Sequence, residues 1–148
     1  MSWTDGHGRT ARKLRLSVTD RCNLRCVYCM PERPVWLPRR DLLSYEELAR
    51  VAGVAVAHGV RQVRVTGGEP LLRKDLPRLV ALLKALPGAP EVTLTTNGTR
   101  LAGAARALKD AGLDRVTVSL DSLEPATYAA MARAGDLSDA LTGMDAAE

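Results

Sequence analysis

The chain has no phenylalanine, and its other aromatic residues are two Trp and three Tyr. Single-stranded nucleic acid is usually held by bases stacking on aromatic side chains, so a stacking surface of that kind is excluded. Only three cysteines occur. A closed four-thiolate zinc site or electron-transfer cluster needs a fourth, and an odd, clustered number does not make a secreted disulfide framework. No apolar run approaches the roughly 18 residues of a membrane span. The opening stretch MSWTDGHGRTARK has no apolar signal core, so a cytoplasmic protein is expected, away from any membrane. No G-x-G-x-x-G follows a strand-like segment and no G-x4-G-K-[ST] exists, which removes the dinucleotide and P-loop readings. No H-E-x-x-H, paired acids or nucleophile triad supports hydrolysis.

What is present is concentrated. Cys22, Cys26 and Cys29 fall in SVTDRCNLRCVYCMPE with the spacing C-x3-C-x2-C. Three thiolates can hold three corners of an iron–sulfur cube and leave one iron open to a small molecule. An incompletely ligated centre is reactive, so the motif points to an enzyme. The other reading is a zinc loop completed by His7 or His58, neither of which has ligand spacing. His58 also reads as a helix C-terminal residue meeting the dipole, and His7 as part of a mobile terminus.

With 148 residues and 46% hydrophobic content the chain can form one domain with a core. The formal net charge is +4. That suits a polyphosphate partner or, as plainly, Arg-rich solvated helix faces. No basic block of five or more residues appears, and no nucleic-acid partner is expected.

Strand-like and helix-like segments alternate. Leu14–Val18, Gln62–Thr66, Glu91–Thr95 and Arg115–Leu120 read as strands. Ser44-Tyr45-Glu46-Glu47 is a capping-box pattern opening a helix to about His58, stopped by Gly59. Asp75 is placed to cap a second helix ending before Pro87-Gly88. A third runs from about Leu101 to Ala111. Asp121 or Ser122 is placed to cap a last helical region broken near Gly135–Leu137. This βα repetition predicts an α/β fold, a partial (βα) barrel of parallel strands with outer helices and about four units. Residues 1–12 read as an N-terminal arm and 13–148 as the core. Right-handed crossovers gather the strand C-termini on one edge, as in barrel enzymes that keep their sites there.

That edge carries the other candidates. Gly67 and Gly68 let backbone approach a ligand, and Glu69 could accept from a ligand ammonium; a plain βα turn explains the same residues. Thr95-Thr96-Asn97-Gly98 is either an Asx turn or a set of donors for a ligand. Ser119 ends the fourth strand, as cap or contact. Arg15 and Arg64 lie within strands among apolar residues, which is uncommon in a parallel sheet covered on both faces. They pair with an anionic substrate or with an acid such as Glu69 or Asp121.

Taken together, the cysteine motif with Tyr28 before its last Cys, followed by a strand and Gly67-Gly68-Glu69-Pro70, resembles the radical S-adenosylmethionine (SAM) superfamily. LRLSVTDRCN, CMPE, VRVTGGEPLLRKDLP, LTTNG and DAGLDRVTVSLDSL resemble, within it, the GTP 3′,8-cyclase family of molybdenum cofactor biosynthesis. The resemblance covers nearly all of the chain. It implies a [4Fe–4S] cluster on Cys22, Cys26 and Cys29, with the open iron chelated by SAM. It implies SAM contacts at Tyr28, Gly67, Gly68, Glu69, Asn97 and Ser119, and GTP contacts at Arg15, Arg64 and Thr95. It implies a lyase reaction: reductive cleavage of SAM to a 5′-deoxyadenosyl radical, abstraction of H3′ from GTP, and closure of a pterin precursor, with an electron donor as partner.

Two features depart from that family. Its members are about twice as long and carry a second cluster on a C-terminal cysteine trio, and Gln62 stands where relatives often carry a basic residue. The stretch Met144–Glu148 reads as mid-helix and the fourth strand as a naked edge. A fragment of a longer chain is therefore expected, inactive alone and completed by a missing C-terminal half or by homodimerisation. The competing readings are a different radical SAM enzyme, peptide-modifying or activating, and a non-catalytic metal-binding remnant.

Overall fold

The computed structural model describes residues 2–148; Met1, the first residue of the expected arm, lies outside them. Four strands form one sheet in the order β1-β2-β3-β4. They are β1 (Lys13–Ser17), β2 (Gln62–Thr66), β3 (Glu91–Thr96) and β4 (Arg115–Val118), and every pairing is parallel. Helices α1 (Tyr45–Ala57), α2 (Leu76–Lys84) and α3 (Ala105–Asp110) make the crossovers, and α4 (Pro125–Ala132) and α5 (Leu137–Asp145) follow β4.

Each strand alternates. Leu14, Leu16, Val63, Val65, Val92, Leu94, Val116 and Val118 turn to the helices and join Leu48, Ala52, Leu79, Leu83 and Leu108 in the main core. Residues one step away turn to the opposite face. That face is polar throughout: Lys13, Arg15, Ser17; Gln62, Arg64, Thr66; Glu91, Thr93, Thr95; Arg115, Thr117. A parallel sheet packed between two helix layers would be apolar on both faces. This one is apolar on one, as a barrel wall with a polar interior must be. The expected α/β partial barrel of four units is what the chain forms.

Local chemistry fixes the helix ends. The Ser44 Oγ accepts from Glu47 N–H, and the Glu47 carboxylate accepts from Ser44 N–H, so the capping box is complete. At the other end of α1 the His58 Nδ1 lies 2.8 Å from the Val54 carbonyl, and its ring stacks on Trp3.

Several expectations need correction. Asp75 sits at the start of α2 in the left-handed conformation and makes no capping bond. The segment from Leu101 forms turns, and α3 begins only at Ala105. The strand β4 stops at Val118, so Ser119 lies just beyond it. Neither Asp121 nor Ser122 caps α4, which starts at Pro125; Asp136 caps α5 through Ser138 N–H. At the C-terminal end α5 runs to Asp145, and Ala146 keeps a helical conformation.

The N-terminal arm is ordered. Thr4 and Thr10 form an antiparallel bridge. Asp5 accepts from the backbone of His7 and Arg9, and Trp3 N–H donates to the His58 carbonyl. His7 therefore belongs to a closed turn, not a mobile terminus.

Candidate active site

All three cysteines are free thiols on the segment between β1 and α1. Two contacts dock that segment. Its start lies on the turn after β2, where Gly68 N–H donates to the Thr19 carbonyl and Glu69 N–H to the Arg21 carbonyl, both at 2.7 Å. Its cysteine-bearing part lies on α4, where Arg25 N–H donates to the Ala132 carbonyl and Val27 N–H to the Met131 carbonyl, both at 2.9 Å. Leu24 fills a second small core with Tyr128, Ala132 and Leu137, against which Cys22 and Cys26 pack. Arg25 adds bonds to the Cys22 and Leu24 carbonyls and lies over the Trp36 ring. The role of α4 as the platform for the cysteines was not legible in the sequence.

The glycines serve this docking. A Cβ on Gly68 would stand 2.4 Å from the Arg21 carbonyl oxygen, and one on Gly67 2.5 Å from that of Thr19. The close approach they allow is by the chain itself, and the Gly68 and Glu69 amides are already used by it.

Glu69 needs a similar correction. It is 1% exposed. Its Oε1 accepts from Thr96 Oγ1 at 2.7 Å and from Leu71 N–H at 3.0 Å, and its Oε2 accepts from Asn97 N–H at 2.8 Å. Burial pushes its carboxyl above the usual range, and these donors oppose the rise. A carboxylate so enclosed ties the β2 turn to the β3 turn; it is not the open acceptor for a ligand ammonium that was expected.

Asn97 makes the Asx turn and, in addition, ties the β3 turn to the cysteine loop. Its Oδ1 accepts from Thr99 N–H, which is an Asx turn, while its Nδ2 donates to Asn23 Oδ1 at 3.0 Å and approaches Cys22 Sγ at 3.9 Å. Tyr28 is 65% exposed and donates its hydroxyl to Asp121 Oδ2 at 2.8 Å, joining the cysteine loop to the segment after β4. That bond, and then burial, raise its phenol above the ordinary range. Asp121 was considered only as a helix cap or an arginine partner; nothing local in the sequence marks it as Tyr28's acceptor. Ser119 is exposed beside this bridge, its N–H bonded to the Thr96 carbonyl.

Arg15 and Arg64 are register partners on the polar face. Among the described residues neither has an acidic partner, so the internal salt bridge with Glu69 or Asp121 is not formed. Thr93 follows Arg64 in the same row. The Thr93 and Thr95 hydroxyls and the Gln62 amide oxygen are buried without a hydrogen-bond partner. Two guanidiniums without an acid, beside partnerless polar atoms, give this face the chemistry to receive a polar, anionic ligand.

Among the described residues no three His, Cys, Asp or Glu side chains converge on a single-ion position, and His58 and the arm holding His7 lie at the far end of the strands, away from the cysteines. The zinc reading fails on both counts. A four-iron cube offers each thiolate a different iron, so its ligands stand apart. Burial pushes the Cys22 and Cys26 thiols up, and a bound cation is what would hold them as thiolates. Three soft thiolate donors without a fourth have the donor chemistry of a cube with one open iron.

Among the described residues no helix is long and apolar enough to cross a membrane. The chain is 55% identical, over 97% of its length, to a GTP 3′,8-cyclase of Acidothermus cellulolyticus, of which the match covers 41%. It is 52% identical, over 99% of its length, to GTP 3′,8-cyclase 1 of Pseudomonas aeruginosa, of which 44% is covered. The chain thus spans less than half the length of these relatives. Among solved structures, methylornithine synthase superposes with a TM-score of 0.72 at 14% identity, over 94% of this chain and 42% of the other. SuiB of Streptococcus suis, bound to a precursor peptide, gives 0.67 at 20% identity, over 84% and 27%; at such identities the likeness is one of fold. The family model of the radical SAM superfamily matches residues 16–148, and the chain belongs to that superfamily, whose members use a [4Fe–4S] cluster and SAM.

Proposed function

We propose that the chain is the cofactor-binding part of a GTP 3′,8-cyclase, in which Cys22, Cys26 and Cys29 hold the cluster and the polar sheet face receives the triphosphate of GTP. The observation that carries this reading is the pair Arg15 and Arg64, adjacent and without acids, on a face that opens beside the cysteine loop. The name of the relatives supports the choice of GTP.

The residues divide the work. Arg15 and Arg64 bind phosphate oxygens as fixed positive charges, and the Thr95 hydroxyl donates to the same ligand. Tyr28, held by Asp121, and Ser119 border the SAM position. The Gly67-Gly68 turn and Asn97 hold the loop that carries the cysteines, Asn97 through Asn23. Cys22, Cys26 and Cys29 would hold the cluster, which when bound would supply one-electron reduction of SAM and so the radical chemistry at C3′ of GTP. The protein's part is to align C3′ with that position and to keep water out. An electron donor completes the system.

The test is anaerobic reconstitution with iron and sulfide, followed by electron paramagnetic resonance (EPR) of the reduced protein with and without SAM, and calorimetric titration of GTP. A [4Fe–4S] signal that shifts with SAM, together with GTP binding lost in Arg15→Met/Arg64→Met, is the expected result. A signal indifferent to SAM would overturn the cofactor half, and GTP binding unaffected by the arginines would overturn the substrate half.

A further inference from the structure

The polar face carries three arginines in one row: Arg15 pairs with Arg64, Arg64 with Thr93, and Thr93 with Arg115. They are not equivalent. Arg115 is ion-paired to Glu91, whereas Arg15 and Arg64 have no acid among the described residues. Glu91 Oε2 also accepts from Gln62 Nε2 at 2.6 Å. One carboxylate, two residues before Thr93 on β3, thus occupies the donors of its neighbours on both adjacent strands. Gln62 is 7% exposed, and its amide oxygen is left without a partner.

We infer that Glu91 sets the inner limit of the anion site and is a specificity-determining residue of the polar face; this rests on the reading of Arg15 and Arg64 given above. Toward the strand N-termini the face presents a carboxylate and an amide oxygen, both acceptors, with their donors turned inward. A phosphate chain is attracted to the Arg15–Arg64 pair and gains nothing from Arg115, whose charge Glu91 neutralises. Its negative charge is therefore kept on the Arg15–Arg64 side of the row. Lys13, in register with Gln62 and exposed, is a cation at the lower level of the sheet. It lies on the outer strand β1, two strands away from Glu91.

The test is calorimetric titration of inorganic tripolyphosphate into the full chain at low ionic strength. Glu91→Gln removes the repelling charge and releases Arg115. Affinity is expected to rise about three- to tenfold, which is the worth of one unit charge about 10 Å away at an effective dielectric between those of water and a protein surface. Glu91→Gln/Arg115→Met is expected to lose most of that gain, and Arg115→Met alone, which leaves the Glu91 carboxylate uncompensated, to bind about three- to tenfold more weakly than the wild type. Unchanged or weaker binding by Glu91→Gln, or wild-type binding by Arg115→Met alone, overturns the inference while leaving the arginine site intact, provided that Arg15→Met/Arg64→Met abolishes binding. If that double variant binds as tightly as the wild type, the anion site itself is misread and the role of Glu91 falls with it.

Discussion

Replacing Gly68 by alanine tests how the cysteine loop is held. The added methyl would lie 2.4 Å from the Arg21 carbonyl oxygen, 2.5 Å from that of Asp20 and 2.6 Å from the Arg21 carbonyl carbon. All three are backbone atoms, so no side chain can swing aside. Ordinary contact begins near 3.4 Å, and the loop must retreat by about 1 Å. That retreat stretches the bonds from Gly68 N–H to the Thr19 carbonyl and from Glu69 N–H to the Arg21 carbonyl, both now 2.7 Å. Two such bonds contribute roughly 1–3 kcal/mol net, more if a donor is left buried and unpaired. The alanine recovers about 0.4–1 kcal/mol by restricting the unfolded chain. A loss of about 0.5–2.5 kcal/mol is therefore expected in urea unfolding of the metal-free protein. Because Arg21 precedes Cys22, iron bound per chain after reconstitution should fall as well. Gly103→Ala is the control: nothing lies within 4 Å of its Cβ, and it should be neutral or slightly stabilising. A Gly68→Ala protein with wild-type stability and full iron would refute the account of the docked loop.

Further expectations follow from the same geometry. Tyr128 is 4% exposed and its hydroxyl has no partner, so Tyr128→Phe should leave the metal-free protein as stable or raise it by about 1 kcal/mol; a clear loss on thermal unfolding would show a hydrogen bond not recognised here. Arg15→Met and Arg64→Met should each weaken GTP about tenfold or more, the scale of a charge-assisted bond, with the cluster EPR signal unchanged. Burial holds the Cys22 and Cys26 thiols above their ordinary values, so the folded chain keeps those protons to higher pH than the unfolded chain does. Their contribution to metal-free stability is fully present below about pH 8.5, the unfolded thiol value, and is lost as pH rises through the folded values. Urea midpoints should therefore fall between pH 7.5 and 10, and Cys22→Ser/Cys26→Ser should flatten that fall. An equally steep decline in the double variant would assign it to other groups.

Much of this was legible beforehand because it is local. The capping box at Ser44 and Glu47 and the three thiolates of the cysteine motif are read within a few residues. QVRVT and RVTVSL read as strands, with Arg64 out of place among apolar residues. The errors were also local in origin. Asp75 and Asp121 look like caps because Asp commonly is one, yet cap geometry depends on the backbone entering the helix, and at Asp75 that backbone is left-handed. Glu69 looked like an open acceptor because its donors, Thr96 and Asn97, lie a full βα unit away.

The sequence by itself determined the element order and the donor set for a cluster, since strand and helix signals and ligand chemistry depend on residue type and spacing alone. Only the tertiary structure decided which polar groups are free. Three arginines on one face are identical as letters. Register places a carboxylate against Arg115 and none against Arg15 and Arg64, and α4, about a hundred residues downstream, sets the cysteines in place. Charge neutralisation and hydrogen-bond saturation depend on distances across strands, and those exist only once the chain has folded.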